Sequence, residues 1–184
     1  MAESEGRSSK PDSDSFPEFR LLGEAVRELA RRVGKAVGDL SSEHERWWVY
    51  QRAVDSPQTW NVLLTAVSLE ENPAVAGSVV SLLLEKMPAS TRMTAVQALP
   101  PENRDFAAAR ARDLAVLDAL ADGSYRHAEG AGVDSWSTWL QLRGLERTGD
   151  ERLLAELASQ GRTKRVRGRA AHRLRLMEKG SSGR

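Results

Sequence analysis

From about residue 18 to residue 177, apolar side chains recur at intervals of three and four residues, which is the spacing of one face of an α-helix. No segment alternates apolar and polar residues in the manner of β-strands joined by hairpin turns. Pro, Gly, Asn, Asp and Ser interrupt the apolar pattern at short intervals, which predicts about nine helices joined by mostly short loops. The sequence therefore predicts an all-α fold.

The first predicted helix carries a regular apolar seam. Ser15 and Glu18 have the spacing of a capping box, and Pro17 falls in the first turn. The seam then runs in alternating four- and three-residue steps through Leu22, Val26, Leu29, Val33, Ala36 and Leu40. This pattern is typical of a coiled coil, so a homo-oligomer through helix 18–40 is one expectation. An ordinary amphipathic helix docked on the protein's own core is the alternative, which the short length favours.

Residues that cap a first turn mark the later helices. The predicted N-caps are Ser42, Ser56, Asn72, Ser90, Asp134 or Ser135, and Asp150. Gly149 and Gly161 are expected to end two helices near the carboxyl end. The helix after Asn72 is apolar on most sides, which predicts a central and fully buried element. The residues predicted to be largely buried are Trp60, Leu64, Val79, Leu83, Leu117 and Trp139.

The length of 184 residues suits one domain with tails. Residues 1–14 contain no large apolar side chain and cannot offset the entropy lost on ordering, so they are predicted to form a disordered tail. Residues 15–177 are predicted to form a single all-helical domain. Residues 178–184 are predicted to form a flexible carboxyl-terminal tail.

Two features suggest internal repetition. Residues 55–60 and 134–139 share the pattern Asp-Ser-x-x-Thr-Trp, each at a helix start. Residues 150–161 form a predicted helix that begins with a capping Asp and contains paired leucines. The next predicted helix, residues 165–174, has Val-Arg in its first turn and Ala and Leu that are expected to face inward. This hairpin resembles a HEAT repeat, and residues 56–87 resemble one more loosely. The resemblance implies a short α-solenoid of stacked antiparallel hairpins with one face that binds protein or nucleic acid. A compact helical bundle is the alternative.

Basic residues are concentrated in the last predicted helix, residues 162–177. This segment contains seven Lys or Arg and no acidic residue, although the net charge of the whole chain is only +1. A helix face exposed only to solvent normally mixes both signs of charge. The candidate binding residues are Lys164, Arg165, Arg167, Arg169, Arg173 and Arg175. The alternative interpretation is a solvated polar face.

The sequence gives little support to catalysis. There is no cysteine, and the three histidines, His44, His127 and His172, share no metal-ligand spacing. The phosphate-binding loop, nucleophile-elbow and zinc-protease motifs are all absent. We predict a non-enzyme with no catalytic, cofactor-binding or metal-binding residue. The loop 122–133 is the one place for a small site, formed by Tyr125, Arg126, His127 and Glu129, and a solvated linker is the alternative there.

These observations predict a non-enzymatic helical adaptor that binds a protein partner. A nucleic-acid-binding module that uses helix 162–177 is the alternative. No apolar run approaches the roughly 20 residues that span a bilayer, so no membrane partner is expected. The polar amino terminus lacks a signal-peptide pattern, and we expect a cytoplasmic protein. Lys supplies only five of the 27 basic residues, which indicates a bacterium with a GC-rich genome.

Overall fold

The computed structural model describes residues 17–126 and 132–181, and every regular element within these ranges is helical. The all-α prediction is therefore confirmed. The α-helices are α1 (Pro17–Arg32), α2 (Glu43–Val54), α3 (Trp60–Ser68), α4 (Pro73–Lys86), α5 (Arg92–Gln97), α6 (Arg104–Ala121), α7 (Thr138–Arg147), α8 (Glu151–Gln160) and α9 (Lys164–Ser181). Short 3₁₀ turns at Pro57–Thr59, Ala89–Thr91, Pro101–Asn103 and Val133–Ser135 precede α3, α5, α6 and α7.

The chain divides into two compact units, one up to Ala107 and one from Ala108 onward. In the first unit, helices separated by one helix in the chain lie side by side: α1 packs on α3, and α2 packs on α4. In the second unit, α8 packs along α9, and α7 contacts both. Side-by-side packing of alternate helices is what stacked hairpins produce, although the solenoid itself stays a prediction.

Three of the predicted N-caps are confirmed by their hydrogen bonds. The Asn72 carboxamide accepts from the backbone N–H groups of Ala74 and Val75, and Asp150 and Ser42 cap α8 and α2 in the same way. The cap predicted at Asp134 or Ser135 was wrong, because both residues belong to a 3₁₀ turn. Ser137 caps α7 instead: its Oγ accepts from Leu140 N–H at 3.0 Å.

The first helix is shorter than its seam predicted. Helix α1 ends at Arg32, and Gly34 follows with a φ of +69°, the left-handed region that favours glycine. Lys35 N–H donates to Ala30 O at 2.8 Å, and Gly34 N–H donates to Arg31 O at 3.3 Å. This pair of bonds forms a Schellman cap, so residues 33–40 do not continue the helix of 18–40.

The seam of α1 lies in the core of the first unit. Leu22, Val26 and Leu29 are 2% exposed or less. The interpretation of α1 as an ordinary amphipathic helix docked on the protein's own core is therefore confirmed. A homo-oligomer through α1 stays a prediction, and it would have to use other side chains.

A buried ion pair joins α2 to the connection between α3 and α4. Arg46 Nε and Nη2 donate to the two carboxylate oxygens of Glu70, at 2.9 and 2.7 Å, and neither side chain is more than 6% exposed. Tyr50 Oη donates to Glu70 Oε2 at 2.9 Å. The remaining guanidinium nitrogen of Arg46 donates to Leu40 O and Ser41 O. Both charges are thus hydrogen-bonded, which burial requires.

The predicted core is confirmed at three of six positions. Val79 and Leu83 are fully buried, and Leu117 is 1% exposed. Leu64, Trp60 and Trp139 are only half-buried. Both tryptophan rings contact polar groups. The Trp60 indole donates to Val54 O at 2.9 Å, and the Arg110 guanidinium lies 3.5 Å from the centre of the Trp139 ring.

Helix α4 also differs from its prediction, because it is not fully buried. Ala76, Val79, Val80, Leu83 and Leu84 face the core, whereas Leu82 is 36% exposed. The shared Asp-Ser-x-x-Thr-Trp pattern does not mark equivalent structure either. Residues 57–59 of the first copy form a 3₁₀ turn, but in the second copy the 3₁₀ turn covers residues 133–135.

The adjacent leucines of α4 provide a test of this packing. Leu83→Ala should lower the free energy of unfolding by about 2–5 kcal/mol, because it removes fully buried atoms and leaves a cavity. Leu82→Ala is the matched control and should cost less than about 1 kcal/mol. Urea denaturation of both variants measures the difference. Equal decreases in the free energy of unfolding would mean that Leu83 does not face the core and Leu82 the solvent.

Burial, the charge of Glu70 and the hydrogen bond to Glu70 together hold the pKa of Tyr50 well above its ordinary value. In the unfolded chain Tyr50 ionises near about pH 10. Above that pH the unfolded state loses a proton that the folded state keeps, so this contribution to stability is complete below about pH 10 and falls as the pH rises.

We therefore expect urea denaturation between about pH 8 and about pH 11 to show that the free energy of unfolding falls as the pH rises above about 10. The contribution of the Tyr50 hydroxyl to this fall should approach about 1.4 kcal/mol per pH unit. Tyr50→Phe should flatten the alkaline part of the profile, and Tyr125→Phe should flatten it less. An unchanged profile in Tyr50→Phe would contradict the buried hydroxyl.

Candidate functional site: the basic helix α9

Helix α9 is fixed to α8 by a narrow apolar stripe. Val166 and Ala170 are fully buried, and Leu174 and Met177, on the same side of the helix, are half-buried. Thr163 Oγ1 accepts from Val166 N–H at 3.2 Å and caps the first turn. The helix continues to Ser181, so residues 178–181 are helical rather than part of a flexible tail. The rest of that predicted tail, 182–184, lies outside the described residues, as does the tail 1–14.

The turn between α8 and α9 depends on Gly161. A Cβ at this position would lie 2.5 Å from Leu157 O and 2.6 Å from Val166 Cγ1, which is closer than two such atoms can approach. The φ of Gly161 is −55°, so the requirement is for space and not for a left-handed backbone. The fully buried Gln141 accepts from Arg162 N–H at 2.9 Å and donates to Val133 O, which ties this turn to α7.

The six predicted binding residues fall into two groups. Lys164, Arg165, Arg169 and Arg175 are exposed, whereas Arg167 and Arg173 are half-buried beside the stripe. Arg167 Nη1 donates to Gly161 O at 2.6 Å and so satisfies a carbonyl at the end of α8. Arg169 Nη2 lies 3.3 Å from Glu146 Oε1 on α7. The structure thus gives Arg167 a structural role and leaves four cations on the exposed side of the helix.

Three residues of the exposed side were not among the predicted binding residues. Successive residues of an α-helix are rotated by about 100° around its axis. His172, Leu176 and Lys179 therefore lie on the same side of α9 as Lys164 and Arg165. Leu176 is 55% exposed. A helical projection of the sequence extended to residue 181 would have placed all three on this arc. The exposed side of α9 therefore combines positive charge with an apolar side chain, and we call it the cationic face.

A groove of about 480 Å³ runs beside this face, between α7 and α9. Its lining residues are Leu145, Glu146, Gly168, Arg169, His172 and Arg173. Gly168 is exposed in the middle of α9, and a Cβ there would meet no atom within 4 Å. Packing among the described residues therefore does not require this glycine, although a glycine inside a helix costs about 0.5–1 kcal/mol relative to alanine.

Charge is distributed very unevenly along the chain. Residues 162–184 contain nine of the 27 basic residues and one of the 26 acidic residues. Their formal charge is therefore +8, against −7 for the rest of the chain. The positive charge of the protein is therefore concentrated in its last helix.

The second predicted site, in the loop 122–133, is only partly described. The ring of Tyr125 packs edge-on against Trp136, with 5.7 Å between the ring centres, and partial burial raises the pKa of Tyr125. Arg126 donates to the carbonyl oxygens of Gly123 and Tyr125. His127 and Glu129 lie outside the described residues. The described half of this loop is thus held by packing and local hydrogen bonds.

Among residues 17–126 and 132–181, no three His, Asp or Glu side chains lie together in a group that could hold a metal ion. None of the described helices combines the length and apolarity needed to span a bilayer. Comparisons with protein-family models, curated proteins and solved structures found no match to this chain.

The two glycines that flank α8 test how α9 is held. Gly161→Ala should lower the free energy of unfolding by about 1–3 kcal/mol, because the added methyl group overlaps Leu157 O and Val166. Gly149→Ala is the control, since a Cβ there meets no atom within 4 Å. Thermal or urea denaturation compares them. If Gly161→Ala were as stable as the wild type, the close turn between α8 and α9 would be wrong.

Proposed function

We propose that the protein is a non-enzymatic helical adaptor that binds an acidic segment of a protein partner along α9. The observation that carries this proposal is the position of the cationic face beside the groove between α7 and α9. Charge attracts and orients an acidic segment, and the groove and Leu176 offer contacts for its apolar side chains.

The groove distinguishes a protein partner from a nucleic acid. Phosphate contacts need only exposed cations, which supply the salt-dependent part of binding to DNA or RNA. An exposed leucine and an open groove next to the arginines add nothing to such contacts. They suit an amphipathic segment, which places apolar anchors in a groove and charges at its rim.

Gly168 adds to this argument. Its missing side chain keeps the middle of the groove open and would let a partner's backbone approach α9 closely. The Arg169–Glu146 pair lies at the same place, with both side chains about half exposed. A partner's carboxylate can therefore replace Glu146 at Arg169 without the burial of an unpaired charge.

The second candidate is a nucleic-acid-binding module that uses the same helix. The excess of positive charge on the exposed side of α9 favours it. The basic residues of the cationic face are Lys164, Arg165, Arg169, Arg175 and Lys179. On duplex DNA each phosphate contact should contribute about −0.9 to the slope of log affinity against log salt concentration.

The proposal also covers the HEAT-like architecture and the cellular compartment. The capping Asp150 and the buried Leu153 and Leu154 of α8 are consistent with the proposal that α8 and α9 form one HEAT-like repeat. A short solenoid would suit an adaptor, because such stacks present extended binding faces. The absence of cysteine and the excess of Arg over Lys support the cytoplasm of a bacterium with a GC-rich genome.

A substitution in the groove separates the two candidates. The probes are an acidic amphipathic peptide, with Leu at helical spacing and Glu elsewhere, and a short DNA duplex. In NMR titrations at about 50 mM salt, the peptide should shift the amide signals of Gly168, His172 and Leu176. Gly168→Leu fills the groove and should weaken peptide binding at least about tenfold, or 1.4 kcal/mol. Arg165→Gln with Arg169→Gln should weaken it through lost charge.

Gly77→Leu is the control, because Gly77 is also a helical glycine with open space at its Cβ and lies on α4 in the first unit. It should leave peptide binding unchanged. If the protein binds DNA with a steep salt dependence, and Gly168→Leu leaves the affinity for DNA unchanged, the second candidate is favoured. If neither probe binds at low salt, the cationic face is only a solvated surface and both candidates fail.

A further inference from the structure

A separate cationic cavity lies in the first unit, at the carboxyl end of α1. Arg27, Arg31 and Lys35 follow one another at four-residue intervals and line a cavity of about 320 Å³. Ala30, Val37, Gly38 and Leu40 complete its wall. Three cationic residues, two on α1 and one in the loop that follows it, thus line the same cavity.

The buried ion pair holds the wall of this cavity. The Schellman cap at Gly34 turns the chain out of α1, so that Lys35 and the residues after it pass back beside the helix. At the far end of the loop, Arg46 Nη1 binds Leu40 O at 2.8 Å and Ser41 O at 3.1 Å. Both ends of the loop are therefore anchored to folded structure, which preorganises the cavity.

The positive charge here is only partly compensated. Glu28 is shared between Arg31 and Arg32, with N–O distances of 2.6 Å to each. No carboxylate in the described part of the chain pairs with Arg27 or Lys35. The Lys35 ammonium instead lies 5.2 Å from the centre of the Trp48 ring, in a cation–π contact.

The backbone at the end of α1 does not account for these basic residues. Basic residues near a helix end often only balance the partial negative charge of its last carbonyl groups. In α1 the carbonyls of Leu29, Ala30 and Arg31 already accept hydrogen bonds from residues 33–35. Val37 and Gly38 line the cavity, and neither backbone N–H donates to an acceptor within the described residues. Loop amides of this kind bind anions in other proteins.

We propose that this cavity binds a phosphate monoester group. A phosphate monoester carries a charge of about −1.5 to −2 at pH 7 and three acceptor oxygens. Its tetrahedral oxygens can accept from several donors arranged around it, whereas a planar carboxylate offers only two oxygens. The group belongs to a phosphorylated small molecule or to a phosphorylated side chain, and the site is independent of the function proposed for α9.

NMR titration with inorganic phosphate tests the site. The Trp48 indole N–H and the Gly38 amide are the reporters, because one lies against Lys35 and the other in the wall. We expect their signals to shift and saturate. Arg27→Gln with Lys35→Gln should weaken binding at least about tenfold. Arg20→Gln, on α1 but outside the cavity, should leave the affinity unchanged.

Sodium chloride at matched ionic strength controls for screening. Phosphate shifts that never saturate, that chloride reproduces, or that persist in the double variant would overturn the proposal. These substitutions are at the surface, and an unchanged far-UV circular dichroism spectrum confirms that the variants fold.

Two further probes identify the source of the group. A phosphoserine peptide that binds at least about tenfold tighter than inorganic phosphate indicates a protein-borne phosphate. A sugar phosphate with that preference indicates a small molecule. Either result supports the site.

Discussion

The first unit depends on the buried ion pair between Arg46 and Glu70. Two charges with almost no exposure to solvent are tolerable only when each is fully hydrogen-bonded, and here Tyr50 and the carbonyls of Leu40 and Ser41 complete the set. Removal of one partner from such a pair typically costs about 3–5 kcal/mol, since the other charge stays buried. The pair also fixes the loop after α1, so that the stability of the core and the shape of the cationic cavity share one cause.

The second unit follows a simpler constraint. Helix α9 contributes only a narrow apolar stripe to the core, and Gly161 lets that stripe lie close against α8. The side of α9 opposite the stripe is exposed, so the arginines and lysines on that side form a continuous cationic face. The fold itself does not require this charge, apart from Arg167, which donates to the carbonyl of Gly161 at the end of α8. Surplus charge of one sign beside an open groove is the basis of the proposed adaptor function.

Local signals in the sequence predicted local structure well. The cap at Asn72 and the stripe through Val166 depend on residues within a few positions, so spacing alone identifies them. Longer-range features were inaccessible. Arg46 has several acidic candidates, and only the packing of α2 on α4 selects Glu70, which is 24 residues away. Gly34 ends α1 through its left-handed backbone, which a continuous apolar seam concealed. The groove and the cationic cavity likewise depend on how separate segments pack.

The most direct test of the account is a crosslink from the cationic face inside the native host. A photoreactive amino acid at Leu176, which is exposed on α9, should crosslink to a protein, and mass spectrometry should map the attachment to an acidic segment. Arg165→Gln with Arg169→Gln should abolish that product, and the same photoreactive group at Leu82, exposed in the first unit, should not form it. Crosslinks to nucleic acid from Leu176, or products identical to those from Leu82, would contradict the account.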